Sequence, residues 1–210
     1  MSPPHEFAVS DSQTLHVGRV LAVRLDQVVM PGGGVARREI VEHPGAVAIL
    51  PLHDDATVVM IDQYRHAVGR RLRELPAGLL DTAAEDPVST ARRELVEEVG
   101  CTAQDWSVLV DVVSSPGFSD EAVRVFLARG LTEIGRPAGD DDEEADLSVV
   151  RVPLADAVRQ VLAGDIVNAS TVAGLLAAQA VLAGTAQPRP VDASWPDRPT
   201  RFADRVGTPR

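Results

Sequence analysis

Residues 74–101 read ELPAGLLDTAAEDPVSTARRELVEEVGC, and the reading of this stretch decides the fold. At its centre, Arg93-Glu94-Leu95-Val96-Glu97-Glu98-Val99-Gly100 places three glutamates on what reads as a single helix. Asp86 stands where a helix cap is needed, and Pro87 suits a first turn that uses no backbone N–H. Gly100 suits the left-handed residue that ends a helix. Val88, Ala91, Leu95 and Val99 fall on one side and form the stripe to be buried. Glu94 and Glu98 are one turn apart on a neighbouring side, with Glu97 close to both. Stacked like charges destabilise an isolated helix, and a cation in front of them removes that penalty. Hard oxygen ligands of this kind suit Mg²⁺ or Mn²⁺.

Clustered helical glutamates are usually a solvated face, so the surroundings carry the argument. A Leu75-Pro76-Ala77-Gly78 turn lies upstream, then Glu85, seven residues, and Arg93-Glu94-Leu95-x-Glu97-Glu98-x-Gly100-Cys101. This resembles the Nudix box, G-x5-E-x7-R-E-U-x-E-E-x-G-U, where U is bulky and apolar. Six residues rather than five separate Gly78 from Glu85, and Cys101 takes the last apolar position. The extra residue falls in the loop before the helix, where insertion is cheap.

The rest of the chain sets bounds. Its 210 residues, 45% of them hydrophobic, suit one ordinary domain with an appendage. A net charge of −11 opposes general binding to nucleic acid or a membrane surface. The single cysteine excludes an internal disulfide framework and a multi-cysteine zinc site. The N-terminal MSPPHEFAVSDSQ has neither a basic region nor an apolar run, so a cytoplasmic location is expected. No stretch has the length and unbroken apolar character of a membrane span.

Residues 1–13 read as loose. Residues 14–30 and 35–42 read as strands about a Pro31-Gly32-Gly33-Gly34 turn that lacks the Lys-Ser/Thr of a phosphate loop. Strands follow at 46–52, 57–64, 106–113, 122–128 and 147–152, with helices at about 154–163 and 170–183. From Gln187 the tail is rich in proline and reads as extended, with Trp195 and Phe202 as its anchors. The expectation is an α/β protein, a mixed-sheet α/β/α sandwich with a small N-terminal antiparallel β-unit. The expected division is 1–44 for that unit, 45–185 for the Nudix domain and 186–210 for the tail.

The resemblance implies metal-dependent hydrolysis of a nucleoside diphosphate linked to another group. It implies Glu94, Glu98 and Glu97 as metal ligands, joined by the Ala77 carbonyl before the box glycine. Arg93 reads as a scaffold residue pairing with Glu85 or another box carboxylate. Pro116 stands sixteen residues after Gly100, within Ser115-Pro116-Gly117-Phe118-Ser119-Asp120-Glu121, and Gln63-Tyr64-Arg65 precedes the box. These features resemble the ADP-ribose pyrophosphatase subgroup, whose reaction yields AMP and ribose 5-phosphate. By the same resemblance Arg65, Pro116, Ser119 and Arg38 (or Arg37) are substrate contacts, and the N-terminal unit is exchanged within a homodimer. Glu144 or Glu143, in the acidic loop 140–146, is the expected catalytic base, with Glu97 as a further catalytic candidate. Two rivals remain: a pyrophosphatase for another sugar nucleotide such as GDP-mannose, and a non-catalytic sensor of ADP-ribose. The histidines show no metal-binding spacing, and Cys101 reads as packed.

Overall fold

The computed structural model describes residues 7–80, 85–137 and 146–207. Its centre is β4 (Ala46–Pro51), a run buried on both faces. A strand apolar throughout must have cover on both sides. It pairs in parallel with β9 (Ala122–Glu133) and antiparallel with β7 (Ala77–Leu79). β8 (Cys101–Val113) completes the mixed sheet in the order β7-β4-β9-β8. Val47 and Ile49 point to one side, where Ala91, Leu95 and Phe126 pack. Ala48 and Leu50 point to the other, against Leu175 and Ala178.

Helix α1 (Pro87–Glu94) therefore covers one face. Helices α2 (Leu154–Ala163) and α3 (Ala169–Leu182) cover the other. Asn168 Oδ1 caps α3 by accepting from the Thr171 N–H at 3.0 Å. The Thr171 hydroxyl in turn accepts from the Leu75 N–H at 2.9 Å. At Gly174 a Cβ would lie 2.9 Å from Leu75 Cδ1 and 3.0 Å from Val125 Cγ1, so the helix approaches the sheet closer than alanine permits. A second sheet runs β10-β5-β6, from β5 (Thr57–Arg65), β6 (Arg70–Glu74) and β10 (Ser148–Pro153). The expected α/β/α sandwich is observed.

The box segment departs from a single regular helix. After Glu94 the chain widens into a π-helical turn over Leu95–Val99. Such turns insert a residue into the helical ladder and are frequent at functional sites. Gly100 closes it at φ 74°, donating to the carbonyls of Leu95 and Val96. A Cβ there would lie 2.5 Å from the Arg136 backbone nitrogen, so both conformation and space require glycine. Asp86 has the extended geometry of a cap, but no side-chain cap bond is made; its carbonyl accepts from Ser89 N–H at 2.8 Å instead.

The N-terminal unit is a three-stranded antiparallel sheet, β1 (Val9–Val17), β2 (Ala22–Val29) and β3 (Val35–Glu42). Residues 9–13, expected to be loose, belong to β1, paired along β2. Its side chains are exposed and polar along much of its length, which is why its sequence lacks a strand's apolar alternation. The tail is also more ordered than expected. Arg189 and Val108 exchange backbone hydrogen bonds at 2.9 and 2.8 Å. Arg124 donates to the carbonyls of Ala193 (2.7 Å) and Ser194 (2.9 Å), and its guanidinium lies 4.8 Å from the Trp195 ring centroid. The tail then forms α4 (Arg201–Gly207), with Phe202 buried. Arg205 of α4 grips the fully buried Glu42 with both ends of its guanidinium, at 2.7 and 2.8 Å, while Arg24 reaches the same carboxylate at 2.8 Å.

These pairs make stability depend on acid. The hydrogen bonds from Arg205 and Arg24 hold the Glu42 carboxyl below its ordinary range against the opposing effect of burial. At Asp111 burial raises the carboxyl, and Arg124 with Arg189 more than reverses it. A carboxyl depressed in the folded state contributes stability in full above its unfolded pKa, about 4. That stability is lost as pH falls through the lower folded value. The melting temperature should therefore hold between neutrality and about pH 5 and decline below about pH 4. Glu42→Gln should melt lower at neutral pH with a shallower acid decline, read by circular dichroism across pH. An acid limb identical to the parent's would contradict the assignment.

Candidate active site

Two elements build the carboxylate cluster: the β6–β7 turn with the start of β7, and α1 with its π turn. Gly78, in β7, lies directly beneath the Glu94 carboxylate. A Cβ on Gly78 would collide with the carboxyl carbon and Oε1 of Glu94. The absence of a side chain is thus what lets the helix lay a carboxylate on the strand. One residue earlier, the Ala77 N–H donates to Glu98 Oε2 at 2.9 Å. Glu98 is largely buried by the π turn, whereas Glu94 and Glu97 are partly exposed.

Arg93 binds the cluster from within. It donates to Glu94 Oε1 at 2.8 Å and Glu97 Oε2 at 2.9 Å, and lies 3.6 Å from Glu85 Oε2. Burial opposes its charge, but Glu94, Glu97 and Glu85 hold the guanidinium above its ordinary pKa. Thr90 donates its hydroxyl to Glu85 at 3.0 Å, fixing that carboxylate to the helix. Arg92 turns away and lies 5.8 Å from the Trp106 ring centroid. Three carboxylates, Glu85, Glu94 and Glu97, therefore share one guanidinium, with Glu98 beside them on the Ala77 N–H, and the excess is negative. Among the described residues, no three acidic, histidine or cysteine side chains already converge as a finished cation site. The donors nevertheless fit a hard divalent cation: they are all oxygens, one glycine-floored turn holds Glu94 and Glu98, and net negative charge remains.

The end of the box is stitched to the chain just beyond β9. Ile134 and Gly135 N–H groups donate to the Gly100 carbonyl at 2.9 and 3.0 Å, and Arg136 Nε donates to the Glu97 carbonyl at 3.1 Å. The acidic loop starts just beyond, and Arg71 of β6 binds its far side by donating to the Asp146 carbonyl at 3.1 Å. Glu143 and Glu144 lie outside the described residues.

The expected substrate contacts fall in two groups. Pro116 is exposed at a turn in which Phe118 and Ser119 N–H donate to the Ser115 carbonyl at 3.1 and 3.0 Å. The Ser119 hydroxyl accepts from Glu121 N–H at 3.1 Å. Arg38 is exposed on β3, donating to the Arg37 carbonyl at 3.0 Å. β3 meets the turn directly, since Val41 N–H donates to the Phe118 carbonyl at 2.7 Å and Asp120 N–H returns to Val41 at 3.1 Å. Arg65 stands at the end of β5 but makes a fork onto the buried Glu74, at 2.7 Å from Nη2 to Oε2. Its side chain keeps 42% exposure, so the guanidinium, oriented by Glu74, remains reachable from solvent.

Sequence reading missed Glu74 and the contacts of His43. Glu74 carried a signal, as the acid that closes β6, the strand paired with the one that Arg65 ends. His43 carried none: its N–H donates to Asp120 Oδ1 at 2.8 Å, from 77 residues away.

A NUDIX domain profile matches residues 42–173. An ADP-ribose pyrophosphatase of Mycobacterium tuberculosis is 57% identical over 201 residues, 96% of this chain and 97% of that protein. An ADP-ribose pyrophosphatase of Bacillus subtilis is 39% identical, covering 73% of this chain and 82% of that protein. A methanol dehydrogenase activator of Bacillus methanolicus is 37% identical, covering 77% and 86%. In three dimensions, a crystal structure of an ADP compounds hydrolase superposes with a TM-score of 0.72 at 25% identity, covering 88% of this chain and 98% of that one.

The glycine floor gives a direct test. Gly78→Ala should keep the fold but push Glu94 off the strand, weakening Mn²⁺ binding by at least about tenfold, or ~1.4 kcal/mol. Titration followed by electron paramagnetic resonance measures this without turnover. Unchanged Mn²⁺ affinity would remove Glu94 from the ligand set.

Proposed function

Because the chain belongs to the NUDIX family, we propose that it hydrolyses the pyrophosphate of ADP-ribose, giving AMP and ribose 5-phosphate. The observation that carries this reading is the intact box cluster, Glu94 and Glu98 seated on the Gly78 turn. The relatives named as ADP-ribose pyrophosphatases support the choice of substrate, since one of them aligns along nearly all of the chain.

Glu94 and Glu98 are the proposed ligands of Mg²⁺ or Mn²⁺, with Glu97 and the Ala77 carbonyl beside them. The cation neutralises pyrophosphate charge and lowers the pKa of bound water when it is present. This chain's own residues do the rest. Arg93 restrains Glu85, Glu94 and Glu97 so that they meet the substrate already oriented, which lowers reorganisation during reaction. The Ala77 N–H fixes one oxygen of Glu98 and with it the rotamer. Arg65, steadied by Glu74, presents a charge-assisted donor to a phosphate oxygen. Pro116 and Ser119 shape the wall against which the rest of the substrate lies. Glu144, or Glu143 beside it, takes a proton from the attacking water.

A homodimer is part of the proposal. The N-terminal sheet and its approach leave Phe7, Val9, Leu15 and Val35 about half exposed, apolar area that a second copy would cover. Arg38 or Arg37 would then reach a substrate in the partner. The substrate is a small phosphorylated molecule and the proposed site is the cytoplasm. No described helix is long and apolar enough to cross a membrane.

The test is turnover of ADP-ribose, GDP-mannose, UDP-glucose and NADH with Mg²⁺, with monophosphate products released by added phosphatase. ADP-ribose should be preferred, and Glu98→Gln should lose about 100-fold in kcat, or ~2.7 kcal/mol. Preference for GDP-mannose would keep the site and replace the substrate. ADP-ribose binding without turnover would make the protein a sensor.

A further inference from the structure

The linker Glu42–Gly45 joins the N-terminal sheet to β4, and two distant segments hold it. From one side the 114–121 loop grips it. The His43 N–H donates to Asp120 Oδ1 at 2.8 Å, and His43 Nε2 lies 3.9 Å from Glu121. Val41 is bonded to Phe118 and Asp120 through the backbone. From the other side comes the C-terminal tail. Pro199 Cδ stands 3.1 Å from where a Cβ of Gly45 would be, at a backbone φ of 84°. Arg205 forks onto Glu42 and extends Nη1 to the Thr14 hydroxyl at 2.6 Å, touching β1 as well.

The tail is itself anchored at its near end, by Arg189 on Val108 and by Ala193 and Ser194 on Arg124. It therefore runs as a strap from β8, past the start of α1, to the N-terminal unit. Glu42 is the residue in which the grip concentrates. Its carboxylate is completely buried and holds two arginines, one from β2 and one from α4. A buried carboxylate with one partner removed is costly, so the strap and the linker are fixed together.

We infer that Arg205 is a positioning residue: through Glu42 the C-terminal strap sets the N-terminal sheet, and with it the Pro116–Ser119 turn, at its working place. This rests on the reading of that turn as a substrate wall. The carboxylates on α1 are braced separately by Arg93 and the Gly78 turn, so they keep their geometry when the strap is released. Loss of Arg205 then weakens substrate binding and leaves the chemical step intact.

The test uses the full chain with Arg205→Ala and Arg205→Lys. Arg205→Ala should raise the KM for ADP-ribose about tenfold with kcat within about twofold of the parent. Arg205→Lys keeps one charge on Glu42 but not the fork, and should fall between them; it is the variant to measure if the alanine form does not fold. Hydrogen exchange reads the link without turnover. The Val41 and Asp120 amides, which join β3 to the turn, should exchange faster in the variant, while the Ile49 amide, bonded to Pro76 within the core, should not change. Unchanged exchange at Val41 and Asp120, or acceleration shared by Ile49, overturns the inference. So does a loss confined to kcat. If the parent does not hydrolyse ADP-ribose, the functional reading fails, and the exchange comparison alone decides whether the strap holds the turn.

Discussion

The contact on which the rest depends is a carboxylate lying on bare backbone. Glu94 can rest on Gly78 because nothing projects from that residue, and the two segments can meet there because β4 pairs with β7 on one edge and packs against α1 on its face. The sheet sets the height of the turn, and Ala91 and Leu95 set the depth of the helix. A π turn then brings Glu98 to the Ala77 N–H. Helix, turn and sheet agree at one point, and a change in any of them would move the acidic groups together. Arg93 supplies a positive charge among three neighbouring carboxylates, Glu85, Glu94 and Glu97, and so offsets their mutual repulsion.

The charge economy of the chain follows the same logic. All twenty basic residues are arginine, and the net charge is −11. A guanidinium can satisfy both oxygens of a carboxylate at once, which an ammonium cannot. Arg65 on Glu74, Arg73 on Asp62, Arg124 on Asp111 and Arg205 on Glu42 all use that fork. Arg73 on Asp62 and Arg124 on Asp111 reinforce strands that are already paired, residue opposite residue, and Arg65 on Glu74 spans the same β5–β6 pair; Arg205 on Glu42 instead joins segments 163 residues apart. Acidity of the whole molecule is thus compatible with a well-braced fold, because the buried or partly buried carboxylates Glu42, Glu74, Asp62 and Asp111 each hold an arginine.

Local spacing made much of the architecture legible. The box, the buried run at β4 and the helix at 154–163 each announce themselves by composition over one or two turns. The extra residue between Gly78 and Glu85 did not disturb the reading, because the helix that carries the glutamates keeps its own spacing. What could not be read was whatever depends on distant partners. The π turn leaves the order of Leu95 to Val99 looking like an ordinary helix; its cause is the seat that Gly100 finds against residues 135 and 136. Arg65 could be singled out from its place at the end of a strand, but its bond to Glu74 depends on strand pairing. The tail looked like an extended appendage because the partner of Arg205 lies 163 residues earlier. The exposed β1 lacked the apolar alternation that reveals a strand.

The strap also fixes an order of events. The N-terminal sheet is made before the tail during synthesis, yet its linker is completed by Arg205, 163 residues later. Domains generally form as units in the order they emerge, and contacts between distant residues come late. The first strands must therefore wait, exposed and unclamped, until α4 has left the ribosome. A chain released short of Arg205 would carry every residue of the box and still lack the closure of its own beginning.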